Sequence, residues 1–122
     1  MKKNILIVDD SESIRELVSQ GLEEAGYNVI KGINGSDGLQ LLLKTEGIHL
    51  IITDLNMPVM NGIELLKEVR KMNAYKYLPI IILTTESQEV KKQEAKAAGA
   101  TAWIIKPFAN EKLVTIVKKV VG

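Results

Sequence analysis

Four places in this sequence carry side chains that could do chemistry, and each directly follows an apolar run. Asp9 and Asp10 follow Ile5-Leu6-Ile7-Val8, and Asp54 follows Leu50-Ile51-Ile52-Thr53. Thr84 and Thr85 follow Ile80-Ile81-Ile82-Leu83, and Lys106, with Pro107 behind it, follows Ala102-Trp103-Ile104-Ile105. Taken singly these residues are ordinary. An aspartate after a strand commonly caps the next helix, threonine suits a strand end, and a lone lysine is a solvated surface group. Brought to one place, three carboxylates, a hydroxyl and an ammonium are a different object. Two carboxylates about 5 Å apart repel by on the order of 3 kcal/mol at an effective dielectric of about 20, so the cluster calls for a cation. An all-oxygen donor set with room for water suits Mg²⁺, with Mn²⁺ as a substitute. Zinc lacks ligands here, because the chain has no cysteine and one histidine, His49, placed at the opposite end of its strand as a surface residue.

Bringing these groups together requires a particular set of elements. Ile5 to Val8 reads as a strand, and Ser11 to Ala25 as an amphipathic helix with Ile14, Leu17, Val18, Leu22 and Ala25 on one face. Ser13 and Glu16 have capping-box spacing at its start, and Gly26 suits its C-terminal cap. The same strand and helix unit recurs as Tyr27 to Lys31 with Ser36 to Lys44, and as His49 to Thr53 with Ile63 to Met72. It continues as Pro79 to Leu83 with Ser87 to Ala98, and as Ala102 to Ile105 with Asn110 to Val121. Leu50-Ile51-Ile52 and Ile80-Ile81-Ile82-Leu83 are apolar without alternation, as parallel strands covered on both faces must be. Right-handed crossovers cover both faces only if the winding reverses once, so the expected fold is a doubly wound α/β sandwich of five parallel strands and five helices. The C-terminal ends of such strands share one edge, which is where the polar residues converge.

Composition agrees with this and excludes other classes. The 122 residues fit one domain, 1–122, burying roughly two thirds of the surface its unfolded form exposes. A net charge of +1 from 16 basic and 15 acidic residues is no nucleic-acid footprint. Apolar runs of four or five residues are far short of the roughly 20 that a membrane helix needs. The apolar stretch after Met1-Lys2-Lys3 ends at Asp9, too soon for a secretory signal, so a cytoplasmic protein without membrane insertion is expected.

The residues also form a familiar set. Val8-Asp9-Asp10-Ser11, Asp54-Leu55-Asn56-Met57-Pro58-Val59-Met60-Asn61-Gly62, Leu83-Thr84-Thr85-Glu86-Ser87 and Lys106-Pro107-Phe108 resemble response-regulator receiver domains. Order and spacing match over essentially the whole chain. The stretch Ala98 to Phe108 after Thr84-Thr85-Glu86-Ser87 is most similar to single-domain chemotaxis regulators of the CheY type. A flavodoxin-like sheet of order 2-1-3-4-5 is a known property of CheY and is taken from that resemblance alone.

The resemblance implies a role for each residue. Asp54 would be the nucleophile and phosphoacceptor, with Mg²⁺ held by Asp10 directly, Asp9 mainly through water, Asp54, and the backbone carbonyl of Asn56. Lys106, on a cis bond to Pro107, would pair with the phosphoryl group, and Thr84 would hydrogen-bond it in the active state. Trp103 stands at the position of the switch aromatic, and Asn56 and Glu86 flank the path of hydrolytic water. Pro58 restricts Met57 to extended backbone, and Gly62 permits a sharp entry to the third helix. Two departures stand out. Ala109 replaces the usual capping residue, so Asn110 is expected to cap the last helix one position later, and Trp103 offers one N–H donor with no acceptor.

The implied protein is a monomeric regulator and not an enzyme beyond its own phosphorylation and dephosphorylation. A histidine kinase would phosphorylate it, and a flagellar motor switch protein or other downstream protein would dock on helix four, strand five and helix five. No DNA-binding or catalytic module follows the fifth helix before Gly122, so the output is expected from this domain's own surface. The alternative is a phosphorelay intermediate that passes the phosphoryl group to another histidine protein. A haloacid-dehalogenase phosphatase would carry Asp-x-Asp after strand one, where this chain has adjacent aspartates. A flavodoxin-like cofactor carrier would want glycine or hydroxyl groups in that acidic loop.

Overall fold

The computed structural model describes residues 2–121; Met1 and Gly122, the ends of the expected domain, lie outside the described residues. The elements are β1 (Asn4–Val8), α1 (Glu12–Glu24), β2 (Asn28–Gly32), α2 (Gly35–Lys44), β3 (Ile48–Thr53) and α3 (Gly62–Arg70). After a 3₁₀ turn (Asn73–Tyr75) come β4 (Ile80–Thr84), α4 (Glu89–Ala97), β5 (Ala102–Ile105) and α5 (Asn110–Val121). The strands form one parallel sheet in the order β2-β1-β3-β4-β5, as the resemblance implied.

The unbroken apolar strands explain the layering. Ile5 and Ile7 of β1, Leu50 and Ile52 of β3 and Ile81 and Leu83 of β4 join Val18 and Leu22 of α1 and Leu113 and Val117 of α5 in one core. Their neighbours Leu6, Val8, Ile51, Ile80 and Ile82 join Leu42 of α2, Leu65, Leu66 and Val69 of α3, and Ala95 of α4 in the other. Each strand thus feeds both cores by its period of two, and each fully buried Ile or Leu contributes roughly 1.5–3 kcal/mol relative to exposure. β5 is an edge strand, like β2 on the other side, and its Trp103 and Ile104 are half-buried while Ile105 is exposed. His49 lies within β3, exposed and remote from the sheet's C-terminal edge, and its Nδ1 accepts from the Asn4 N–H at 3.0 Å.

Several boundaries differ from the sequence reading, each for a visible reason. Ser11, not Ser13, caps α1: its backbone is extended and its Oγ accepts from the Ile14 N–H, while Glu16 pairs with Lys31 at 3.0 Å instead of closing a box. β2 starts at Asn28 because the Tyr27 N–H closes α1 onto the Leu22 carbonyl, with Gly26 in the left-handed conformation at φ 99°. Asn110 does not cap α5. The Ala109 carbonyl accepts from the Leu113 N–H, so the helix keeps the usual register, and the Asn110 amide donates to the Leu17 carbonyl of α1. α3 stops at Arg70, with Lys71 as its C-cap, where Met72 had been expected to end it. α4 begins at Glu89, two residues later than Ser87, and its N-cap Gln88 makes no side-chain capping bond.

The loop from Asp54 to α3 shows why Gly62 is glycine. Its φ is not positive, so backbone freedom is not the reason; a Cβ there would stand 2.3 Å from the Asp54 carbonyl oxygen. Asn61 and Glu64 close a capping box over the start of α3. Val59, 81% exposed, takes φ 71°, where a β-branched side chain is strained. Gly62→Ala is therefore expected to lower stability by about 1–3 kcal/mol through forced displacement. Val59→Gly should raise it by up to about 1 kcal/mol, strain relief outweighing the freer unfolded chain. Urea unfolding of both variants checks this, and equal midpoints for the three proteins would contradict it.

Candidate functional site

Parallel pairing of β1 with β3 and of β3 with β4 brings the strand ends into line, and the polar residues follow. Asp9, Asp10 and Asp54 each offer a carboxylate oxygen within 4.8 Å of the others. Lys106 Nζ lies 3.0 Å from Asp9 Oδ2 and 3.5 Å from Asp54 Oδ2. Lys106 and Asp54 side chains keep 12% exposure each, so the pair is shielded yet open to a small ligand. The Lys106–Pro107 peptide bond is cis, and the Lys106 N–H donates to the Thr84 carbonyl at 2.8 Å.

The aspartates are held unequally. Asp9 is buried, with Oδ1 accepting from the Ser11 N–H at 2.9 Å and Oδ2 engaged by Lys106. Asp54 Oδ1 accepts from the Leu55 N–H at 2.7 Å, and its Oδ2 is approached less closely by Lys106. The exposed Asp10 carboxylate has no hydrogen-bond partner among the described residues. Burial is the largest influence on Asp54 and raises its carboxyl above the ordinary range. Lys106 lowers it, Asp9 raises it, and the Leu55 N–H and Thr84 hydroxyl lower it further.

The remaining predicted residues take distinct places. Thr84, fully buried, accepts through Oγ1 from the Glu86 N–H at 3.1 Å, leaving its hydroxyl proton to donate. Glu86 is thereby fixed through its backbone, and Asn56 is exposed in the loop after Asp54. Trp103 is not part of the acidic cluster. It lies in β5 against the α3–α4 core and lines a groove of about 190 Å³ with Lys92, Ala95, Lys96 and Ala100, its Nε1 buried without a partner. One contact had no sequence signal: Arg15 of α1 donates from Nη1 to the Asp9 carbonyl at 2.8 Å. On a helix surface an arginine looks like a solvated charge. Met57 and Met60 pack against the core below this loop.

The donor set fits a hard divalent cation, since three carboxylates converge with no sulfur or imidazole among them. No helix among the described residues is long and apolar enough to cross a membrane.

A doubly wound sheet with this acidic edge, a lysine on a cis-proline loop and a buried threonine defines a class, and comparison with known proteins agrees. The family described as response regulator receiver domain matches residues 5–118, so the chain belongs to that family of two-component signalling domains. Several of its relatives are named CheY. A chemotaxis protein CheY homolog of Campylobacter jejuni is 38% identical over 97% of this chain and 92% of its own. The structure of Vibrio cholerae chemotaxis protein CheY4 superposes with a TM-score of 0.93, at 46% identity, over 98% of this chain and 99% of that one. A CheY-like receiver domain protein from Methanospirillum hungatei gives 0.90 at 31% identity, over 98% and 93% of the two chains.

A carboxyl raised in the folded state holds its proton more firmly there than in the unfolded chain. Stability then falls as pH rises from the ordinary carboxylate value through the folded one, and the loss is constant above. In metal-free buffer Asp54→Asn is expected to melt higher than the unchanged protein near pH 7, the gap closing toward about pH 4. Thermal melts across that range check it; a gap that widens in acid has the wrong sign.

Proposed function

We propose that this protein is a chemotaxis response regulator whose phosphoacceptor is Asp54. The observation that carries the reading is one ammonium, Lys106 Nζ, within 3.5 Å of both Asp9 and Asp54 at an edge where three carboxylates meet. A phosphoryl group arriving on Asp54 meets that ammonium directly. Asp9, Asp10, Asp54 and the Asn56 carbonyl would hold Mg²⁺, which when bound supplies positive charge against the phosphoryl oxygens. In the transfer, an Asp54 carboxylate oxygen attacks phosphorus of a kinase phosphohistidine. The new O–P bond forms as the N–P bond breaks, and the departing imidazole takes up a proton. Hydrolysis later breaks the O–P bond, returns the carboxylate and releases inorganic phosphate. Asn56 and Glu86, on the loops beside Asp54 and Thr84, tune that step by orienting or obstructing water.

The output follows from Thr84. Its hydroxyl anchors the Glu86 N–H, and α4 begins three residues beyond Glu86 without a side-chain cap, so a pull on Thr84 toward a phosphoryl oxygen acts on a weakly started helix. Trp103 lines the groove between that helix and β5. Lys92 and Lys96 on this rim favour an acidic partner segment. The name chemotaxis protein, carried by the Campylobacter and Vibrio relatives, supports the flagellar motor switch as that partner and a histidine kinase as the phosphodonor, both in the cytoplasm.

Two outcomes are expected. Acetyl phosphate with Mg²⁺ should label a single residue, Asp54, by mass spectrometry, and neither Asp54→Asn nor metal-free protein should be labelled; label on Asp9 or Asp10 would refute the assignment. Thr84→Ala should accept the label yet signal poorly. Moving a switch from 1:99 to 99:1 takes about 5.5 kcal/mol, and one hydrogen bond to a charged group supplies about 1.5–3 kcal/mol of it. Its loss should weaken phosphorylation-dependent partner binding about 10-fold or more. Titration of a motor-switch peptide, read through the emission of Trp103, tests the coupling, and undiminished affinity would remove Thr84 from it.

A further inference from the structure

Asp9 is held at every polar atom it has. Its N–H donates to the Gly32 carbonyl at 3.1 Å, Oδ1 accepts from Ser11, Oδ2 from Lys106, and its carbonyl from Arg15 Nη1 at 2.8 Å. The last of these comes from a side chain in the first turn of α1, and no backbone N–H among the described residues reaches the same carbonyl. The peptide bond is planar, so the direction of the Asp9 carbonyl fixes the plane whose far corner is the Cα of Asp10. Asp10 has no hydrogen bond of its own among the described residues to orient its carboxylate. The position of that carboxylate depends on the backbone that carries it.

We infer that Arg15 is a positioning residue for the cation site: by holding the Asp9 carbonyl it sets the Asp9–Asp10 peptide plane and aims the Asp10 carboxylate at the metal. The inference rests on the reading of Asp9, Asp10 and Asp54 as cation ligands. Arg15 also brings a positive charge to the backbone of a proposed ligand, and this gives the proposal a sign. Charge alone would oppose cation binding, so a neutral residue at 15 would tighten it. A positioning role demands the reverse.

The experiment is isothermal titration of Mg²⁺ into the unphosphorylated protein and into Arg15→Ala and Arg15→Lys. Loss of an outer-shell partner typically weakens metal affinity about 10- to 100-fold, so Arg15→Ala is expected to bind at least about 10-fold more weakly. Arg15→Lys, which keeps a donor of similar reach, should fall between Arg15→Ala and the unchanged protein. In metal-free protein the amide resonance of Asp10 should move in Arg15→Ala while the urea midpoint stays close to that of the unchanged protein. Affinity equal to or tighter than that of the unchanged protein in Arg15→Ala overturns the inference. Should that variant not fold, Arg15→Lys binding as tightly as the unchanged protein, with no shift at Asp10, overturns it equally. Absence of Mg²⁺ binding in the unchanged protein would instead remove the cation-site reading, and this inference with it.

Discussion

Three carboxylates with oxygens within 4.8 Å of one another repel, and Lys106 is the cation that the chain sets against them. The groups so balanced are far apart in sequence: Asp9 and Asp10 follow β1, Asp54 follows β3, and Lys106 follows β5. They meet because β1 lies beside β3 at the centre, β4 beside β3, and β5 at the edge. The bond from the Lys106 N–H to the Thr84 carbonyl ties the edge strand to β4 at the very residue that carries the ammonium. Unpaired, a partly buried charge costs several kcal/mol. The two apolar cores that hold the strands in register therefore underwrite the site.

Within that balance the aspartates form a gradient of restraint. Both carboxylate oxygens of Asp9 are engaged, one oxygen of Asp54 is engaged closely, and the Asp10 carboxylate has no hydrogen-bond partner among the described residues. A fixed carboxylate cannot change partners cheaply, whereas one with a loosely met oxygen keeps a lone pair for a new bond. Asp54 combines this looseness with a raised carboxyl set by burial, so the folded chain holds its charge at some expense. A cation or an esterifying group on Asp54 relieves that tension, which fits the proposed phosphoacceptor better than a permanent structural acid.

Much of this was legible in the sequence, and the reasons are local. β3 and β4 declared themselves through Ile51-Ile52 and Ile80-Ile81-Ile82, because burial on both faces removes alternation. The polar residues after each strand marked the edge, since parallel strands leave no choice of end. Strand order came from the resemblance and not from periodicity. The caps were misread where chemistry gave equal candidates two residues apart, as with Ser11 and Ser13; backbone dihedrals decided, and these are not written in residue type. Asn110 was similar, its amide drawn to the Leu17 carbonyl by a contact between α1 and α5. Gly62 was read as permitting a sharp entry to α3 through backbone freedom, but what it avoids is a collision with the Asp54 carbonyl at the other end of the same loop, and such a close approach has no signature in residue type.

One buried donor without a partner lies where the output is proposed. Among the described residues, buried side-chain polar atoms without a partner are the hydroxyl of Ser19 and the indole N–H of Trp103. An orphaned buried donor costs about 1–3 kcal/mol, the size of one hydrogen bond from Thr84 to a phosphoryl oxygen. α4, the helix facing Trp103, buries one residue, Ala95, and starts without a side-chain cap. On the switching reading these terms act in the same direction. The present packing of Trp103 is held by contact with the core and opposed by its unpaired N–H. A tyrosine in its place could pair as donor or acceptor, whereas indole can only donate. If Trp103 switches as proposed, the acceptor offered to Nε1, by water or by a docking partner, would be a term that separates its two states.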